Sequence, residues 1–187
     1  MRDAGKSTFQ AAPTWVDLVE QARSITEELF VQRHPEEFLI LEHLGHVDSA
    51  SLPNRTVTVQ AVRAGQPRAV LDVMPVQKRD RNNPFSSMIT IGRAASSDVV
   101  LNDASVSKLH AWIRRANDTL GGTTATVTDS GSTNGTYVNG SPVDAETVPL
   151  PLGARLRVGG VGLQFVDARL LHRALVRLPS PAQQPTV

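Results

Sequence analysis

Apolar residues along this chain change their spacing twice. Trp15, Leu18, Val19, Ala22, Ile25 and Leu29 recur at three- and four-residue steps, the period of a helix with one apolar face. Thr14, with Asp17 three residues on, resembles a capping box at its start, and Pro35 places its end near His34. The stripe is expected to pack on the adjoining domain; a docking helix for another protein is the alternative. Phe38-Leu39-Ile40-Leu41 is too short a run for its period to separate helix from strand.

From Thr56 the texture becomes short β-rich runs between turn residues. They are Val57-Thr58-Val59, residues 70–73, Ile89-Thr90-Ile91, Val99-Val100-Leu101, Ala111-Trp112-Ile113, Thr126-Val127 and Thr136-Tyr137-Val138. Such spacing predicts a mainly β chain folded as an antiparallel sandwich or barrel. Asn139-Gly140 and Gly159-Gly160 supply positive backbone dihedrals for tight hairpins. Near the C-terminus, Leu170, Leu171, Ala174, Leu175 and Leu178 return to helical spacing, and residues 179–187 read as a loose polar, proline-rich tail. The expected organisation is an N-terminal helical extension over 1–54, a sandwich domain over 55–168, and a short C-terminal helix with tail over 169–187.

Composition narrows the function classes. A formal net charge of +1 over 187 residues gives no general attraction to nucleic acid or acidic membrane, so a basic site must be local. No cysteine is present, which removes disulfides, thiolate nucleophiles and cysteine-based zinc sites. No apolar signal core follows Met1, and the longest apolar run, Phe38 to Leu41, cannot span a bilayer, so a soluble cytoplasmic protein is expected. Gly5-Lys6-Ser7 lacks the upstream glycine and strand of a nucleotide-binding loop. Val158-Gly159-Gly160-Val161-Gly162 leads into no helix and so fails as a dinucleotide loop. No cofactor, metal or small-molecule substrate is expected.

Candidate chemistry is concentrated between residues 91 and 140, in Gly92-Arg93, Ser107-Lys108-Leu109-His110, Ser132-Thr133-Asn134-Gly135-Thr136 and Asn139-Gly140. At a strand exit, the planar guanidinium of Arg93 can meet a phosphate with two parallel hydrogen bonds. Ser107 offers a hydroxyl to another phosphate oxygen, and Lys108 a mobile positive charge. Asn134 carries a carbonyl and an amide suited to clamping the main chain of an extended peptide. A serine hydrolase built on Ser107 and His110 would need a third orienting group and an oxyanion hole, and no G-x-S-x-G turn occurs. The basic run Lys78-Arg79-Asp80-Arg81 reads as a solvated loop at the opposite end of the sandwich from Arg93.

The order and spacing of these motifs resemble the forkhead-associated (FHA) family, antiparallel β-sandwiches of the FHA/SMAD type that bind phosphothreonine peptides. The resemblance covers roughly residues 56–167 and is dense over 89–140. It implies phosphate contacts from Arg93 and Ser107 with help from Lys108, and peptide contacts from Thr133 and Asn134. Gly92, His110 and Gly135 are implied as structural support. The chain departs from some members in having Ser105 where they place an arginine, and Ser130 where many have leucine. The implied function is a non-catalytic adaptor in serine/threonine kinase signalling. Its expected partner is a phosphothreonine-containing protein, a kinase or kinase substrate. The alternatives are a phosphate-independent module of the same fold, an enzyme using Ser107 and His110, and a groove occupied by a phosphorylated flanking threonine such as Thr8.

Overall fold

The computed structural model describes residues 15–34, 36–44, 57–61, 69–79, 87–117, 123–144 and 146–177. Thr14, Thr8, Asp80, Arg81, Leu178 and the tail fall outside them. Two sheets stack face to face, and helices cover part of the outer face of one.

The larger sheet has seven strands: β1 (Phe38–Leu44), β2 (Val57–Ala61), β3 (Ala69–Pro75), β8 (Thr136–Val138), β9 (Ser141–Val143), β11 (Arg155–Val158) and β12 (Val161–Val166), in the order β2-β3-β1-β12-β11-β8-β9. The smaller has β4 (Met88–Gly92), β5 (Val99–Val100), β6 (Ala111–Asn117), β7 (Thr123–Asp129) and β10 (Val148–Pro149), in the order β10-β7-β6-β4-β5. Phe38 to Leu41 thus belongs to a strand, and its length could not reveal this. β1 sits between β3 and β12, so the sheet draws on a segment that the expected boundary at residue 54 places outside the sandwich.

Alternation along the strands builds the core between the sheets. Ile89 and Ile91 of β4, Ile113 of β6, Leu156 and Val158 of β11, and Leu163 and Phe165 of β12 all point inward, while Arg155 and Arg157 point out. Each of these large side chains contributes about 1.5–3 kcal/mol on burial. The hairpin at Asn139-Gly140 has both φ angles positive (50° and 87°), as its sequence predicts. At Gly159-Gly160 only Gly159 is positive, with φ 60°.

The sandwich is antiparallel as expected except at one pair, where β4 and β5 run parallel with Ile91 opposite Val99. Residues 93–98 double back far enough for this because Asp98 is tied to β4. Its carboxylate accepts from Thr90 N and Thr90 Oγ1, both at 2.8 Å.

The single N-terminal helix expected from the apolar period is two helices, α1 (Trp15–Ser24) and α2 (Glu27–Arg33). Ser24 Oγ bonds back to the Glu20 carbonyl at 2.6 Å, and Thr26 takes an extended conformation and caps Leu29 N at 3.4 Å. A third helix, α3 (Ala168–Arg177), follows β12. Leu18, Val19, Ala22, Phe30, Leu171 and Leu175 form a second core over Phe38, Ile40, Val73 and Val166 on the outer face of the larger sheet. The N-terminal stripe therefore packs on its own domain, although Leu29 is exposed. Glu27 clips α2 to α3 through Arg169 (2.6 Å) and Arg173 (2.8 Å).

Candidate functional site

Three loops meet at one end of the sandwich: residues 93–98 after β4, 101–110 before β6, and 130–135 after β7. Gly92 makes the first approach possible. A Cβ there would lie 2.2 Å from the Lys108 carbonyl oxygen, so any side chain would separate the two loops. With glycine in place, Arg93 N donates to Ser107 O at 2.9 Å and Ala94 N to Lys108 O at 3.1 Å. Arg93 Nε donates to Val106 O at 3.2 Å, which orients the guanidinium of an exposed residue. Lys108 is exposed beside it.

His110 ties the second loop to the third and is fully buried. Its Nδ1 accepts from Ser107 N at 3.0 Å, so the proton belongs on Nε2, which donates to Gly135 O at 3.1 Å. Both ring nitrogens are used inside the loops, and neither meets the serine hydroxyl. Ser107 Oγ instead accepts from Thr133 N at 3.2 Å and lies 3.5 Å from Thr133 Oγ1. Asn134 Nδ2 donates to Ser105 O at 2.8 Å, leaving the amide's oxygen at an exposed tip. The structure thus brings Gly92, Arg93, Ser107, Lys108, His110, Thr133, Asn134 and Gly135 into one connected set. Among the described residues no group of three histidine, aspartate or glutamate side chains gathers to hold a metal.

Asp129 supports the site without a part in the motifs above, and Ser105 and Ser130 enter there only as departures from the family pattern. Asp129 accepts from Ser132 N and Ser132 Oγ, both at 2.7 Å, and from Thr136 Oγ1 at 2.6 Å. Burial works to raise its pKa, but the Thr136 and Ser132 hydrogen bonds outweigh this and hold it below the ordinary carboxylate value. An aspartate with serine three residues later in a Ser/Gly-rich stretch is a legible turn signal. Ser105 is engaged from three sides: Asp103 Oδ1 accepts from its hydroxyl at 2.5 Å, Gly160 N donates to that hydroxyl at 2.7 Å, and Gly159 packs on its carbonyl. Among the described residues, the buried Ser130 Oγ finds no hydrogen-bond partner.

The basic run also departs from expectation. Lys78 is not solvated but paired with Asp98 at 2.8 Å, with side-chain exposures of 11% and 5%. Arg79 donates to Ala95 O at 3.1 Å and Ser97 O at 2.9 Å, bracing the loop that carries Arg93 and not an opposite end. These partners lie 16 to 20 residues away in sequence, so local pattern could not have joined them.

Residues 89–159 match the sequence profile of the family described as FHA domain. The oxoglutarate dehydrogenase inhibitor of Corynebacterium diphtheriae is 38% identical over 78 residues, covering 42% of this chain and 50% of that protein. The glycogen accumulation regulator GarA of Mycolicibacterium smegmatis is 41% identical over 75 residues, covering 40% of this chain and 43% of that one. The matched region thus spans half the length of these relatives or less. A structure solved in a study of phosphothreonine-dependent FHA domain interactions is 22% identical, covers 70% of this chain and 95% of its own, and superposes with a TM-score of 0.42.

Proposed function

For this chain, which carries an FHA domain, we propose the role of an adaptor that captures a phosphothreonine on a partner modified by a serine/threonine kinase. The observation that carries the reading is the meeting of the Arg93, Ser107 and Thr133 loops, with the Arg93 backbone bonded to Ser107 at 2.9 Å and the Ser107 hydroxyl bonded to Thr133 N at 3.2 Å. In the proposed complex the Arg93 fork and the Ser107 hydroxyl share one dianion, Lys108 adds charge, and Thr133 and Asn134 hold the peptide main chain. Gly92, His110 and Gly135 keep the three tips in register. A buried threonine methyl favours phosphothreonine over phosphoserine by about 1 kcal/mol.

The protein works by binding and catalyses no reaction. Support comes from His110, whose nitrogens are occupied by Ser107 N and Gly135 O and so leave no base for the Ser107 hydroxyl. The names of the relatives, an inhibitor and a regulator, fit the same reading. The partner is a kinase or a kinase substrate, and the protein acts in the cytoplasm.

Titration calorimetry with a phosphothreonine peptide and its unmodified twin tests the proposal. Only the phosphorylated form is expected to bind, and Arg93→Ala is expected to weaken it by roughly tenfold to a hundredfold. Equal binding of the two peptides would favour the phosphate-independent alternative, and an unchanged affinity for Arg93→Ala would remove that residue from the site.

A further inference from the structure

The helical layer covers only part of the larger sheet's outer face. On the strands beyond it, β11, β8 and β9, the outward residues include Arg155, Arg157, Tyr137 and Pro142. The Arg157 guanidinium lies over the Tyr137 ring, 3.5 Å from its centroid. One of its terminal nitrogens, Nη1, donates to the Gly159 carbonyl at 2.8 Å. Stacking fixes the plane of the fork, and the carbonyl fixes its direction, so little freedom remains to be lost on meeting a ligand. Nε and the second terminal nitrogen then present the parallel donors that a carboxylate accepts.

This platform adjoins the loop end. Gly159 N donates to Gly135 O at 3.0 Å, and the Tyr137 ring is 3.1 Å from where a Gly135 Cβ would stand. Gly135 follows Asn134 directly, so chain leaving the site past Asn134 on the larger-sheet side passes over Tyr137 and Arg157. Arg155, two residues back on the same strand, extends the positive charge. Among the described residues neither arginine is ion-paired. Asp144 stands one residue past the end of β9 and pairs with neither.

We infer that the Arg157–Tyr137 platform reads an acidic residue of the phosphorylated partner, flanking the phosphothreonine on the side that leaves past Asn134. The inference rests on the phosphothreonine reading above and supplies its sequence preference: the ligand is a phosphopeptide with aspartate or glutamate on one flank. Charge complementarity and continuity with the loop end carry it. Gly162, where a Cβ would meet nothing within 4 Å, leaves room beside Arg157 on the neighbouring strand.

The test uses the full chain and three fluorescent phosphothreonine peptides: one with neutral flanks, one with glutamates before the phosphothreonine and one with glutamates after it. One acidic flank is expected to tighten binding by about threefold to tenfold, the range of an exposed but preoriented ion pair. Arg157→Gln is expected to abolish that gain while leaving the neutral phosphopeptide bound as before, and Arg157→Lys to restore only part of it. Thermal unfolding of each variant checks that the exposed substitution leaves the fold intact. A neutral phosphopeptide that binds without any gain from either flank overturns the platform and leaves the phosphothreonine reading standing, as does a gain that survives Arg157→Gln. Phosphorylated and unmodified neutral peptides binding alike would defeat the phosphothreonine reading itself.

Discussion

The two ends of this molecule's architecture are held by different forces. The helical layer on the larger sheet rests on apolar burial, with Phe30 and Leu171 fully enclosed and one ionic clip at Glu27. The loop end seats Leu101 and Val106 in the main core, but burial alone does not join its tips. It is held by backbone donors and acceptors meeting particular groups, such as the buried His110 ring between Ser107 and Gly135. Burial is non-directional and tolerates any side chain of suitable size. Hydrogen-bonded loop geometry tolerates almost no exchange, because a mispositioned partner leaves a polar group unsatisfied. Damage to the first region should therefore appear as lost stability, and damage to the second as lost recognition.

Phe30→Ala gives the largest expected effect on stability. The ring is fully buried between His34 (4.6 Å between centroids) and His172 (5.2 Å), beneath the contact of α2 with α3. Its removal is expected to cost about 3–5 kcal/mol in urea unfolding. Phosphopeptide affinity per folded molecule should stay within about twofold, since less than half a kcal/mol reaches the loops if the regions are independent. A much larger loss of affinity would show that the helical layer is coupled to the recognition end.

Gly92→Ala reverses the pattern. The new methyl would stand 2.2 Å from the Lys108 carbonyl and 2.9 Å from Ser97 Oγ, so the first two loops must part. The expected cost in stability is about 1–3 kcal/mol, with a loss of phosphopeptide binding larger than the unfolded fraction explains. Gly162→Ala is the control, because its methyl would meet nothing and both readings should barely change. Binding retained in full by a folded Gly92→Ala protein would separate the close approach of the loops from recognition.

The same contrast governs what was legible in the sequence. The strands from β4 to β8 announce themselves because alternating apolar residues are punctuated by turn residues, and Asn139-Gly140 names its own hairpin. The residues brought together at the loop end were also readable, since Gly92-Arg93, Ser107 to His110 and Thr133 to Gly135 pair unusual chemistry with turn positions. The break between α1 and α2 was hidden because the apolar period continues through Ile25, although Thr26 followed by Glu27 and Glu28 carries a new start signal. Residues 78 and 79 were misread for another reason: a basic run looks solvated until Asp98 and the carbonyls of Ala95 and Ser97 are folded against it. The Arg157 platform needs β8 and β11 to be paired before its parts are neighbours.

Asp129 gives the smallest effect and the one that acidity can turn off. Its folded pKa lies below the ordinary 3.8, because hydrogen bonds from Thr136 and Ser132 overcome the opposing effect of burial. A depressed carboxylate stabilises the fold fully above the unfolded value, and that contribution is lost as the pH falls below 3.8 through the folded pKa. Asp129→Asn keeps the shape but gives up the charge, so it should cost about 1 kcal/mol at neutral pH, the difference between charged and neutral hydrogen bonds. Urea midpoints of the two proteins should converge as the pH falls from 5 toward 3, a range chosen to bracket that loss. If the gap stayed constant over that range, the cost would arise from the altered shape of the loop and not from its charge. Because Asp129 anchors the turn leading to Thr133 and Asn134, the same substitution should weaken phosphopeptide binding by a few-fold at neutral pH. An effect on the urea midpoint without any effect on binding would place this turn with the helical layer, as scaffold alone.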